Sequence, residues 1–252
     1  MSTKSTPENA TTHFGFQEVA ESEKENLVRD VFNSVASKYD LMNDLMSLGV
    51  HRVWKNTMLD MLRPQAGMNL VDVGGGTGDI AFRFLNRGGD SVSVVDINDD
   101  MLNQGRKRAI DLGRLDGISW INGDAEKLPL LDSSADAYTT AFCIRNVTHI
   151  NRALEEARRV LKPGGRFMCL EFSHVILPVL EQAYDLYSFK VLPWLGEMVA
   201  NDRASYQYLA ESIRQFPDQD QFASMIKEAG LEQASYHNLS GGIAAIHSAW
   251  RI

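Results

Sequence analysis

The chain has 252 residues, 44% of them hydrophobic and 23% charged, with a formal net charge of −8. That is the make-up of a folded globular protein, and its acidic balance disfavours non-specific binding to nucleic-acid phosphates or to an anionic bilayer. Two cysteines, Cys143 and Cys169, give neither a disulfide framework nor metal-ligand spacing, the six histidines are scattered, and no window reaches the ~20 apolar residues of a membrane span.

Residues 1–12, MSTKSTPENATT, are polar and without the apolar core of a signal peptide, so they read as a disordered tail on a cytoplasmic protein. Residues 13–252 read as a single domain that begins with a helical cap over 13–65. There Leu27, Val31, Phe32 and Val35 recur at helical spacing between Glu23 and Lys38, and a second helix covers Trp54 to Leu62 before Pro64. The pattern then changes to alternation. NLVDV predicts a strand, GGGTG a turn and DIAFRFLNR a helix; SVSVVDI is a second strand, followed by a helix from Asn98 to Leu112 with acids first and bases last. GISWING and ADAYTTAF are the next strands, NRALEEARRVL is a helix stopped at Lys162-Pro163-Gly164-Gly165, and RFMCLEF is a fifth strand. A mostly helical insert fills 174–229, and the tail reads as two antiparallel strands joined through SGG. The expected fold is α/β, a doubly wound, mostly parallel seven-stranded sheet, Rossmann-like, with the N-terminal helices and the insert capping a site.

The stretch VDVGGGTGD sits where open α/β sheets bind ligands, beyond the carboxyl end of the first strand. Gly74, Gly76 and Gly78 alternate there around Thr77, and glycine both permits φ > 0 and removes the Cβ that would hold a ligand off the backbone amides. A dinucleotide site prefers Gly-x-Gly-x-x-Gly, but Asp79 occupies the third glycine's place; with Asp72 also close, a cation is expected rather than a pyrophosphate. Asp96, ending the second strand, can accept hydrogen bonds from two ribose hydroxyls, and Asp124, after the third, can reach an exocyclic adenine amine. The alternative for the glycines is a purely structural tight turn.

This constellation resembles the class I S-adenosylmethionine-dependent methyltransferases. The resemblance implies that the Gly74–Gly78 turn faces the methionine part of S-adenosyl-L-methionine, Asp96 the ribose and Asp124-Ala125 the adenine. YDLMNDLMSLGVHRVW (Tyr39–Trp54) and RVLKPGGRFMCLEF (Arg159–Phe172) are similar to the paired signatures of the ubiquinone/menaquinone biosynthesis C-methyltransferases, with FCIRNV, VANDRASYQYLAESI and THFGF as further family blocks. Two departures stand out. Cys143 replaces a usual glycine, and Ala141 stands where a serine is frequent, which removes one side-chain hydrogen bond to the cofactor.

The family resemblance implies methyl transfer to a ring carbon of a polyprenyl benzoquinol or naphthoquinol. An aromatic carbon becomes nucleophilic when a neighbouring hydroxyl loses its proton, so positioning and a proton route suffice without a metal. Arg145 and Asn146, after the fourth strand, are the candidate catalytic pair. Arginine stays protonated and so acts by stabilising a phenolate or holding a water, while Asn146 orients the quinol or that water; the alternative for Arg145 is a structural cation. Tyr39 is a candidate to bond substrate or cofactor, His51 reads as packing on Trp54, and Asp202, Arg203, Tyr206 and Tyr208 as a far wall or as core. The segment AYDLYSFKVLPWLGEMV reads as an apolar lid over the isoprenoid tail or as a helical cap on the sheet. A bilayer-resident substrate implies transient contact with the inner membrane surface or a biosynthetic complex, and a homodimer stays open. Competing readings are an O- or N-methyltransferase and a non-catalytic cofactor-binding subunit.

Overall fold

The computed structural model describes residues 10–35, 39–47, 49–176, 182, 184–200 and 202–252. It opens with an antiparallel hairpin, β1 (Thr11–Phe14) and β2 (Gln17–Ala20). The expected tail extended through residue 12, yet Thr11 and Thr12 are strand. Contacts remote in sequence hold this hairpin: Phe14 stacks on Tyr208 with centroids 4.1 Å apart, and the Phe16 amide donates to Glu211 over 3.0 Å. Four residues of alternation carry no such information.

Three helices follow: α1 (Glu21–Val35), α2 (Tyr39–Ser47) and α3 (His51–Leu62). Then come β3 (Asn69–Val73), α4 (Asp79–Asn86), β4 (Ser91–Asp96), α5 (Asp99–Asp111), β5 (Ile118–Asn122), β6 (Ala135–Ala141), α6 (Ile150–Val160) and β7 (Leu161–Phe172). After a π-turn at Tyr187–Val191, the insert contributes α7 (Leu192–Ala200), α8 (Arg203–Gln215) and α9 (Gln219–Glu228), before β8 (Glu232–Leu239) and β9 (Ala244–Trp250) close the chain.

The seven strands lie in the order β5-β4-β3-β6-β7-β9-β8, parallel from β5 to β7 and antiparallel at β7–β9 and β9–β8. Helices cover both faces of the central strands, so alternate residues serve two cores. Leu70, Val92, Val94, Met168 and Leu170 pack with Trp54, Met58, Ile80 and Phe84 from α3 and α4. Val71, Val95, Tyr138, Phe167 and Cys169 pack with Leu154, Val160, Phe222 and Ile226 from α6 and α9.

One local expectation changes. The Lys162–Gly165 stretch is not a turn ahead of the fifth strand but an outward loop within β7. Pairing with β6 steps from Ala135–Leu161 to Ala137–Arg166 across it, with Gly164 at φ 81°. Backbone bonds between Gly164 and Arg251 and between Arg251 and Gly165 stitch it to the C-terminus.

Candidate active site

The Gly74–Gly78 turn is built by conformation first. Gly74, Gly76 and Gly78 have φ of 64°, 52° and 79°, a region costly to any residue with a Cβ. Their neighbours divide the work. A Cβ on Gly78 would lie 2.6 Å from Trp120, and one on Gly74 2.1 Å from the Cys143 sulfur, so those two glycines yield space to the protein itself. A Cβ on Gly76 would meet only the flexible end of Met101 at 2.9 Å and Asp96 at 3.8 Å. Gly76 is the member whose bareness serves the ligand side.

Asp96 is fixed by the backbone around it. The Gly76 amide donates to Oδ2 and the Asn98 amide to Oδ1, each over 2.9 Å, which leaves lone pairs on both oxygens for a vicinal diol. Burial pushes its pKa up to about 6, and the amides of Asn98, Gly76 and Ile97 oppose that shift. Asn98 also caps α5, accepting from the amides of Asp100 and Met101, and donates to Asn33 of α1 over 2.7 Å. Strand end, helix start and overlying helix therefore share one hydrogen-bonded node.

These groups border a concave cleft that opens to solvent. Gly74, Gly76, Asp96, Asp124, Ala125 and Asn146 all lie on its wall, brought together from the ends of β3, β4, β5 and β6. Asp124 is exposed, and its carboxylate accepts from the Glu126 amide over 2.9 Å. The roof is α1, through Glu25, Val28, Arg29 and Phe32. Those roof residues escaped the sequence reading, because the helical periodicity of α1 gives which side is apolar but not what it covers. Met101, Cys143 and Thr148 were missed likewise.

Asp72, Thr77, Gly78 and Ala141 are set back from the cleft. Asp72 is 1% exposed; Thr139 donates to its Oδ1 over 2.7 Å, and burial raises its pKa to about 7. Ala141 is core at the end of β6. The expectation that Asp79 offers free negative charge to a cationic ligand is corrected by its partners. Lys55 at 3.0 Å and Arg83 at 3.1 Å already neutralise it, and together they hold its pKa down at about 2 against its burial.

At the end of β6 the chain turns sharply. Phe142 takes φ 58°, unusual for a residue with a side chain, and packs between Trp54 (6.4 Å) and Phe172 (4.8 Å). That turn aims Asn146 at the cleft and Arg145 away from it. Arg145 lies 2.6 Å from Glu171, both side chains 1% exposed, and donates to Ser212 over 3.3 Å. It borders an adjoining cavity with Lys24, His13 and Tyr208. Asn146 is 8% exposed; its Oδ1 accepts from the Tyr208 hydroxyl over 3.0 Å, and its Nδ2 has no partner among the described residues.

The side chain of Tyr39 lies outside the described residues. His51 is buried against Asp44 (3.0 Å), and burial lowers its pKa. Asp202 caps α8 by accepting from Ser205 over 3.0 Å, Arg203 pairs with Glu197 at the surface, and Tyr206 is fully buried. Among the described residues no group of His, Cys, Asp and Glu is arranged to hold a metal, and no helix is long and apolar enough to cross a membrane.

The strand order, the glycine turn and a carboxylate at the end of β4 that is free to take a diol define a class I S-adenosylmethionine-dependent methyltransferase. A SAM-dependent methyltransferase from Aquifex aeolicus shares the fold, with a TM-score of 0.61 over 87% of this chain and 98% of that one at 18% identity. Residues 18–251 match the ubiE/COQ5 methyltransferase family, and the chain belongs to it. Ubiquinone/menaquinone biosynthesis C-methyltransferase UbiE of Paracoccus denitrificans is 59% identical over 242 residues, 96% of this chain and 97% of that protein. The mitochondrial 2-methoxy-6-polyprenyl-1,4-benzoquinol methylase of Bos taurus is 51% identical over 280 residues, covering 97% and 85%. The activity is S-adenosylmethionine-dependent C-methylation in ubiquinone/menaquinone biosynthesis, with a polyprenyl quinol as the family's substrate.

Proposed function

We propose that this chain methylates the ring carbon of 2-methoxy-6-polyprenyl-1,4-benzoquinol, demethylmenaquinol or both, with the quinol seated against Asn146. The observation that carries this reading is that Asn146, whose buried Nδ2 has no partner among the described residues, lines the same cleft as Asp96 and the glycine turn. A buried donor without a partner costs about 1–3 kcal/mol unless a ligand supplies the acceptor, and a quinol oxygen does so.

S-adenosyl-L-methionine, when bound, supplies an electrophilic methyl group. Asp96 takes the ribose hydroxyls, the Gly74–Gly76 backbone lets the methionine part approach, and Asp124-Ala125 borders the base. Asn146 donates to the quinol oxygen and is best placed to stabilise the negative charge that builds there as the proton leaves. Arg145 is always protonated and already paired with Glu171, so it serves by holding the 144–146 turn and by orienting water in the adjoining cavity. Once the ring carbon has gained the methyl, loss of its hydrogen restores aromaticity; the net release is one proton, and no oxidant is required.

The polyprenyl tail belongs in a bilayer. Leu186, Trp194 and Met198 on the insert are 62%, 51% and 69% exposed, which supports peripheral contact of a cytoplasmic protein with the inner membrane. The quinone profile of cells lacking this protein tests the assignment. Loss of methylated ubiquinone, menaquinone or both, restored by the wild-type chain and not by Asn146→Ala, is expected; an unchanged profile contradicts it.

A further inference from the structure

We infer that the Glu25–Arg29 pair of α1 reads the amino-acid end of the cofactor, Arg29 taking its carboxylate and Glu25 its ammonium. This rests on the proposed approach of the methionine part to the Gly74–Gly76 turn.

The path of α1 places the pair. Lys24 donates to the Val147 carbonyl, beyond the end of β6, over 3.3 Å; Asn98, beyond the end of β4, donates to Asn33 over 2.7 Å. β3 lies between those two strands. Nine residues of helix rise about 13 Å and two strand spacings measure about 10 Å, so the middle of that span crosses the end of β3 and its glycine turn. Glu25, Val28, Arg29 and Phe32, spaced along one face of α1, line the cleft there.

The methionine part brings one anionic group, and the turn has few donors left for it. The amides of Gly74 and Gly75 donate to the Val95 carbonyl, that of Gly76 to Asp96 and that of Gly78 to the Gly75 carbonyl. Arg29 is the one cation among the described residues that line the cleft; the other charged side chains on its wall are Glu25, Asp96, Asp124 and Glu126. A planar guanidinium matches a carboxylate through two parallel hydrogen bonds. Among the acids, Glu126 already accepts from the His149 amide over 2.8 Å and pairs with its ring at 2.7 Å, whereas Glu25 has Arg29 as its partner at 2.5 Å. The Glu25 and Arg29 side chains are 51% and 41% exposed, so this pair is weakly held. A zwitterion that presents both charges replaces it with two pairs, one for each residue. Nucleosides that share only the adenosine end cannot make that exchange, so the pair discriminates against them.

Calorimetric titrations of the full-length protein with three probes test this: S-adenosylhomocysteine, its decarboxylated form S-adenosyl-3-thiopropylamine, and 5′-methylthioadenosine, which lacks the amino-acid end. Arg29→Gln is expected to weaken S-adenosylhomocysteine roughly tenfold or more and to leave the other two within about twofold. Glu25→Gln is expected to weaken S-adenosylhomocysteine and the decarboxylated probe roughly threefold or more, and to spare 5′-methylthioadenosine. The readout is the ratio between probes, which a general loosening of the roof does not move. An equal loss for all three probes, or no loss for S-adenosylhomocysteine, would overturn the inference. Wild-type protein that holds 5′-methylthioadenosine as tightly as S-adenosylhomocysteine would overturn it at its root, by removing the methionine part from the glycine turn.

Discussion

Arg145 and Glu171 form an ion pair of 2.6 Å in which neither side chain is more than 1% exposed. Burial raises the Glu171 pKa, and Arg145 is the main influence pulling it back. Each charge is tolerable only because the other is present. Removing Arg145 alone therefore reports on folding as well as on chemistry. Arg145→Met is expected to destabilise the protein by about 3–5 kcal/mol, and Arg145→Met with Glu171→Leu to recover most of that. Urea unfolding measures both. Residual activity of the refolded double variant then reports what the Arg145–Glu171 pair adds beyond folding, expected as at least a tenfold loss in kcat.

Glycines in the same turn should fail differently. Gly78→Ala places a Cβ 2.6 Å from Trp120 at φ 79°, so it should lose about 2 kcal/mol or more of stability. Gly76→Ala meets only the movable end of Met101, so its stability loss should be nearer the ~1–2 kcal/mol of the strained φ alone. Its cofactor affinity should fall at least tenfold. Thermal melts with and without S-adenosylhomocysteine separate the two.

Cofactor affinity should depend on the ionisation of Asp96. Its pKa of about 6 makes it an acceptor-only carboxylate at pH 7.5. Below pH 6 one oxygen gains a proton and one acceptor site is lost, so Kd should rise by up to tenfold per pH unit, and Asp96→Asn should flatten that profile. Calorimetric titrations between pH 5 and 8 check this.

Asp72 sets a stability gradient of definite sign. Its pKa rises from 3.8 in the unfolded chain to about 7 in the native protein, so between those values the folded state holds more protons. The carboxyl costs nothing below pH 4, and its cost grows as pH rises to 7, to at most about 4 kcal/mol. The stability of Asp72→Asn relative to wild type should therefore climb from pH 4 to 7 and then level off. His247, whose pKa is lowered to about 4, pulls the opposite way below pH 6.5, so the difference between variant and wild type is the quantity to measure.

Much of this was legible from pattern. Strands alternating with helices specify a doubly wound sheet, and strand-end positions follow from it, which is why Asp96 and Asp124 could be placed on the cleft beforehand. Its place after the fourth strand put Asn146 on the same wall. What escaped depends on long-range partners. Lys55 at position 55 gives no hint that it will neutralise Asp79, so the charge seen by a ligand was misjudged. The Phe142 left-handed turn, which swings Arg145 out of the cleft, leaves no mark in composition or spacing. The hairpin at 11–20 exists because Tyr208 and Glu211 await it, and local periodicity cannot register that.

The most direct test is chemical. Incubate the protein with S-adenosylmethionine carrying a ¹³C-methyl group and a demethylated polyprenyl quinol, then locate the label by NMR. The structure and family predict a methyl carbon bonded to ring carbon, lost with Asp96→Ala. Label on a quinol oxygen, or none at all from a protein that binds the cofactor, would contradict it.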